Sequence, residues 1–167
     1  IVLGARGWMH VELRLKGAVN SVHSGNFGGL LPSPVLSLVK LLGSMVDERE
    51  RVTIEGYCDD VAPPSALDRD AMAKLPFDHP AFMEAHRIAR MGGDARLSPS
   101  ERLMFYPHIN IAGIQSGYTG AGFQSSIPNT AFAKLDLHFV ANQDPDRCLD
   151  LLRRHIRSHC PDEVEVV

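Results

Sequence analysis

"TAFAKLDLHFVA", residues 130–141, decides how this chain folds. Ala131, Ala133, Leu135, Leu137 and Phe139 fall on one side of an extended backbone, and Phe132, Lys134, Asp136 and His138 on the other. Strand side chains alternate between faces, so this pattern predicts a strand with one face on a core and one polar face. "WMHVELRLK" (8–16) repeats it, with Met9, Val11, Leu13 and Leu15 opposed to His10, Glu12, Arg14 and Lys16. "HINIAGIQ" (108–115) and the terminal "EVEVV" (163–167) read as two further strands, and "RVTIEGY" (51–57) as a short one.

Two helices stand between these strands. Ser33 and Pro34 supply an N-cap and an N1 proline, and Val35, Leu38, Val39, Leu42, Met45 and Val46 recur at helical spacing as far as Asp47. Asp144 and Pro145 open the second, with Leu149, Leu152 and Ile156 on its inner face and Cys148 placed to be buried. Its acids come early and Arg153, Arg154 and Arg157 late, as the helix dipole favours. A block over about 56–107 has a different texture, rich in proline and charge, with short helices predicted near 66–74, 80–91 and 99–104. Ser98, Pro99 and Glu101 mark the start of the last as a capping box. With that helical insertion set aside, the order is strand, helix, strand, strand, helix, strand. That order predicts an α+β fold, the ferredoxin-like split βαβ sandwich, with an antiparallel sheet and both helices on one face.

The composition narrows the possible functions. A net charge of −3 and a pI near 6.2 argue against nucleic-acid or anionic-membrane partners. No apolar run is long enough to span a bilayer. Cys58, Cys148 and Cys160 read as reduced thiols, which fits a cytoplasmic protein.

"NSVHSGNFGG" (20–29), between a strand and a helix, is the most suggestive loop. Ser24 has no G-x-S-x-G elbow around it, and His23 is too close in sequence to serve as its base. The glycines match no phosphate-binding spacing and read more simply as bends. The eight histidines include one i, i+4 pair, His155 and His159, which reads as a solvated cationic helix end; no complete metal site is expected in the chain. The residues alone leave two possibilities open: a binding surface built from this loop and the polar sheet face, or a solvated face beside a tight turn.

In order and spacing, a longer set of motifs resembles one family. Arg6-Gly7, Lys16-Gly17, the H-S-G-x-x-G-G of 23–29, a proline-started helix and V-x-I-x-G-Y-x-D-D-V at 52–61 make up its first half. G-I-x-x-G-Y-x-G-x-G at 113–122, I-P-x-x-A-x-A-K at 127–134 and Q-D-P at 143–145 make up the second. Together these resemble the lid, or dimerisation, domain of the di-zinc exopeptidases. That family includes carnosinase, cytosolic dipeptidases, aminoacylase and succinyl-diaminopimelate desuccinylase, and the match follows the dipeptidase-like branch of the M20 peptidases.

The resemblance implies that residues 1–167 are a single lid domain of a larger two-domain metallopeptidase, inactive in isolation. Two zinc ions would be held by a catalytic domain that is absent here. The lid would pair with a second copy as a homodimer, and the enzyme would cleave a small peptide or N-acyl amino acid through zinc-activated water. It also assigns His23 to stabilising the oxyanion in the partner subunit's active site, with Gly122, Ser125 and His138 near the substrate. His138 stands where the family usually has an arginine that clamps a carboxylate, and imidazole cannot make that bidentate contact. The rival reading is a non-catalytic ligand-binding or dimerisation module on the same fold.

Overall fold

The computed structural model describes residues 6–160 and the backbone of 165–166. The strands are β1 (Gly7–Lys16), β2 (Val22–His23), β3 (His108–Ser116), β4 (Ser126–Ile127), β5 (Thr130–Phe139) and β6 (Glu165–Val166). The helices are α1 (Ser24–Phe27), α2 (Pro34–Ser44), α3 (Ala66–Ala73), α4 (His79–His86), α5 (Pro99–Phe105) and α6 (Pro145–His159).

β3, β5, β1 and β6 hydrogen-bond in that order into one antiparallel sheet, which is the ferredoxin-like arrangement expected from the alternating strands. β1 and β5 pair along their whole length, from Gly7 opposite Phe139 to Lys16 opposite Thr130. Leu13, Leu15, Ala133, Leu135 and Leu137 point inward against Leu38, Leu41 and Leu42 of α2 and Leu152 and Ile156 of α6, forming one core. The caps read from sequence are in place. The Ser33, Ser98 and Asp144 side chains accept from the first-turn amides of α2, α5 and α6, and Glu101 closes the capping box back onto Ser98. Of the closing strand predicted over 163–167, β6 is described at 165–166; positions 163, 164 and 167 lie outside the described residues.

The helix predicted near 80–91 stops at His86, where Arg87 turns left-handed at φ +51°, and three further expectations need correction. Residues 51–57 form no strand; only Val52 bridges, to Val46. The Asp47 carboxylate accepts from the Arg49 and Arg51 amides and the Arg51 guanidinium, which ties the chain into a turn and lowers the Asp47 pKa to about 2. Ile54 and Tyr57 still reach the core, through a turn with Gly56 at φ +77°. That same turn shortens α2, which stops at Ser44 rather than Asp47. The amide of Thr53 donates to the carbonyl of Met45 and its hydroxyl to that of Ser44, pulling the chain off the helical path.

The third correction concerns His155, which is not a solvated cation. It is 8% exposed, its Nε2 lies 2.8 Å from Ser44 Oγ, and its ring stacks on His159 at 3.9 Å. Burial, followed by the neighbouring His159, pushes its pKa down, so the neutral ring joins α6 to α2.

Candidate functional site

The loop after β1 and the loop before β5 are stitched together at one end of the sheet. The Gly17 amide donates to the Asn129 carbonyl at 2.9 Å, and the Asn129 side chain spans back to Ser21 and to the carbonyl of Val19. β2 pairs antiparallel with β4, setting Val22 opposite Ile127 and His23 opposite Ser126. One residue on, the Ser24 amide donates to the Ser125 carbonyl at 3.0 Å. Two residues separated by about a hundred positions in sequence, His23 and Ser125, are thus brought onto one ribbon.

His23 is exposed and caps the single turn α1, its Nδ1 accepting from the Gly25 amide at 3.0 Å. A ring nitrogen that accepts a hydrogen bond cannot carry the proton, so neutral His23 holds its hydrogen on Nε2. The backbone thereby selects the tautomer and leaves the Nε2–H without a partner among the described residues.

The adjoining loop is built around its glycines. The Tyr118 hydroxyl donates to the Ala121 carbonyl at 2.7 Å, and the Tyr118 ring lies where a side chain on Gly120 would sit. Gly122 takes φ +82°, and nothing lies within 4 Å of where its Cβ would be. Phe123, two residues before Ser125, is fully exposed, with Val19 91% and Leu30 78% exposed in the facing loop.

His138 lies far from this tip. It is half-buried on the outer face of β5, between Trp8 of β1 and His108 of β3, and its ring stacks on His108 at 6.1 Å. Burial, then His138 and Arg6, lowers the pKa of His108. Asp136 is held by His10 Nε2 at 3.2 Å and Asn110 Nδ2 at 3.0 Å. From Thr130 to His138 a strand rise of ~3.4 Å per residue gives ~27 Å. The structure thus brings His23 and Ser125 together, with Gly122 three residues along the loop from Ser125, and leaves His138 at the opposite end of β5.

Among the described residues no group of three or more His, Cys, Asp or Glu could hold a metal ion. The donors are scattered, and the histidines nearest one another, His155 with His159 and His108 with His138, are stacked rather than converging. Nor, among the described residues, is any helix long and apolar enough to cross a membrane. Ser126 is the neighbour of His23 that sequence reading missed. Its place is set by the β2–β4 register, and the only trace of that in the sequence is its position immediately before Ile127-Pro128.

The architecture is a two-layer sandwich carrying an exposed polar tip. Residues 3–164 match the family described as the peptidase dimerisation domain, and the chain belongs to that family. It is 26% identical over 158 residues to the Beta-Ala-His dipeptidase of Rattus norvegicus, covering 95% of this chain and 32% of that protein. The Cys-Gly metallodipeptidase DUG1 of Saccharomyces cerevisiae is 24% identical over 159 residues, covering 93% and 32%. Among solved structures, the M20 family metallo-carboxypeptidase Sso-CP2 from Sulfolobus solfataricus superposes with a TM-score of 0.87 at 34% identity, covering 99% of this chain and 43% of that one. Human carnosine dipeptidase 1 gives 0.86 at 24% identity, covering 97% and 36%. The chain spans about a third of the length of the curated relatives it matches. It is a domain of M20 peptidases, and these two curated relatives are dipeptidases.

Proposed function

We propose that this chain is the dimerisation lid of a cytoplasmic, zinc-dependent exopeptidase of the dipeptidase type, and that it supplies His23 to the active site of a partner subunit. The observation that carries this reading is the His23 tip, where a backbone amide fixes the tautomer and leaves the Nε2–H donor on an exposed side chain. An N–H donor held in advance stabilises the negative charge that builds on an amide oxygen during hydrolysis, at no cost in reorganisation. The metal belongs to a catalytic domain outside these residues. Ser125 and Gly122 contact the substrate from the same tip, the glycine leaving open space where a side chain would intrude. His138, ~27 Å along β5 from the end that carries the tip, contacts a different substrate molecule from the one His23 serves. The substrate is a small peptide or N-acyl amino acid.

Pairing of two lids falls to β3 and α2. β3 is a nine-residue edge strand whose Ile111 and Ile114 are exposed on the helix side of the sheet, and Leu36 and Val39 of α2, the helix packed on that side, are also exposed. A long, apolar, unpaired edge invites a second strand, and a two-fold axis alongside β3 would give it one from an identical lid.

Mixed dimers of the full-length enzyme test the reading. One subunit carries His23→Ala and the other an inactivated catalytic domain. A donor acting in trans restores one working site per mixed dimer, whereas a donor acting within its own subunit leaves the mixture as inactive as its parents. In the homodimer, His23→Ala should lower kcat by ~10²- to 10³-fold, the loss typical of an oxyanion donor, with the melting temperature unchanged. Intact turnover would refute the proposal.

A further inference from the structure

We infer that Ser126 is a second hydrogen-bond donor to the oxygen that His23 contacts, an inference that rests on the lid reading above. Residues paired directly across two antiparallel strands carry their side chains on the same face, with Cβ atoms ~4.5–5.5 Å apart. His23 pairs with Ser126, so the hydroxyl beside the imidazole belongs to Ser126. Ser125, one position back and outside β4, uses its backbone carbonyl to hold Ser24.

Three features of Ser126 fit the role. Its backbone is fixed, since its amide donates to the Gln124 carbonyl at 2.9 Å and it sits in the β2–β4 pair just before Ile127 and Pro128. It is half-buried, so its hydroxyl stands on a formed surface rather than swinging in solvent. Its hydroxyl also has no partner among the described residues, unlike those of Ser33, Ser44, Ser65, Ser98 and Ser116, which cap helices or bind carbonyls. A hydroxyl held in place, unpartnered and next to an exposed N–H makes a two-donor cradle, and one oxygen set between them lies within reach of both.

The test uses the full-length enzyme assayed with β-Ala-His and Cys-Gly. Ser126→Ala should lower kcat about tenfold or more with KM and melting temperature unchanged, and Ser126→Thr, which keeps the hydroxyl, should restore it. The double variant His23→Ala/Ser126→Ala should fall little below His23→Ala alone, because the two donors share one oxygen. The inference is overturned if Ser126→Ala keeps wild-type kcat while His23→Ala loses it, or if the two losses multiply independently. It is also overturned if Ser126→Thr fails to rescue and the melting temperature falls in step. Unchanged kcat in both single variants overturns the inference together with the lid reading it rests on.

Discussion

Gly25 offers a way to move the His23 ring without touching His23. A Cβ built on Gly25 would lie 2.9 Å from His23 Cε1 and 3.1 Å from Nδ1, well inside the ~3.5–4 Å at which carbon atoms rest. Gly25 does not have a positive φ, so alanine fits its backbone. The ring therefore gives way, tipping off the Gly25 amide and losing the 3.0 Å bond that fixes the tautomer. That loss costs about 0.5–1.5 kcal/mol, and replacing glycine in a compatible conformation returns about 0.4–1 kcal/mol. The two nearly cancel, so Gly25→Ala should leave the unfolding free energy within about 1 kcal/mol of the wild type.

Catalysis has no such compensation. A donor displaced by ~1 Å costs up to ~10²-fold, so kcat of the full-length enzyme should fall ~10- to 100-fold. Nitrogen NMR of the imidazole gives the structural readout: one protonated Nε2 and one accepting Nδ1 in the wild type, a mixture of tautomers in the variant. A mixture accompanied by unchanged kcat would show that His23 is not the donor. A retained Nε2–H signature would show that the contact with Gly25 does not govern the ring.

Two further predictions concern stability and assembly. The folded pKa of His155 lies below its ordinary value of 6.5, so between the two values the unfolded chain binds more protons and stability falls as pH falls. Its contribution is complete above 6.5 and is lost as pH drops from there through the folded value; His108 adds in the same direction, and Asp47 acts only below pH 4. Urea unfolding at pH 7.5, 6.5 and 5.5 should show this decline, and His155→Gln should flatten it; an unflattened slope refutes the role given to His155. At the β3 edge, Ile114→Lys should remove about 1.5 kcal/mol of apolar burial per copy, counted twice across a two-fold axis. The dimer dissociation constant by sedimentation should then rise ~100-fold, and an unchanged value would place the interface elsewhere.

The parts of this fold that could be read from the sequence are those fixed by neighbours along the chain. The alternation in 130–139 set the inward face of β5 residue by residue, and Ser33-Pro34 and Asp144-Pro145 set the helix starts, because strand parity and capping are local. Residues 51–57 misled because their β-branched side chains favour a strand, while the Asp47 carboxylate, outside the segment, takes the Arg51 amide at its start and holds the chain in a turn. His155 could have been placed, since it follows Leu151 and Leu152 on the inner face of α6, but its partner Ser44 belongs to another helix. The same limit applied at the tip. The motif drew attention to His23, while Ser126 became visible only through a strand register that no local pattern encodes.

β5 also acts as a ruler. A dipeptide spans at most ~7 Å when extended, whereas His23 and His138 stand near opposite ends of a strand ~27 Å long. One substrate cannot touch both within a single chain. If both residues act, each lid serves two active sites, one through its tip and one through its outer face. The spacing between those sites is then set by the strand and the angle by the β3 interface. A weakened interface should therefore reduce turnover per subunit in proportion to dissociation, because each half would keep His138 and lose the partner's donor. An enzyme whose separated subunits kept full activity would break that link, even with every residue of the lid in place.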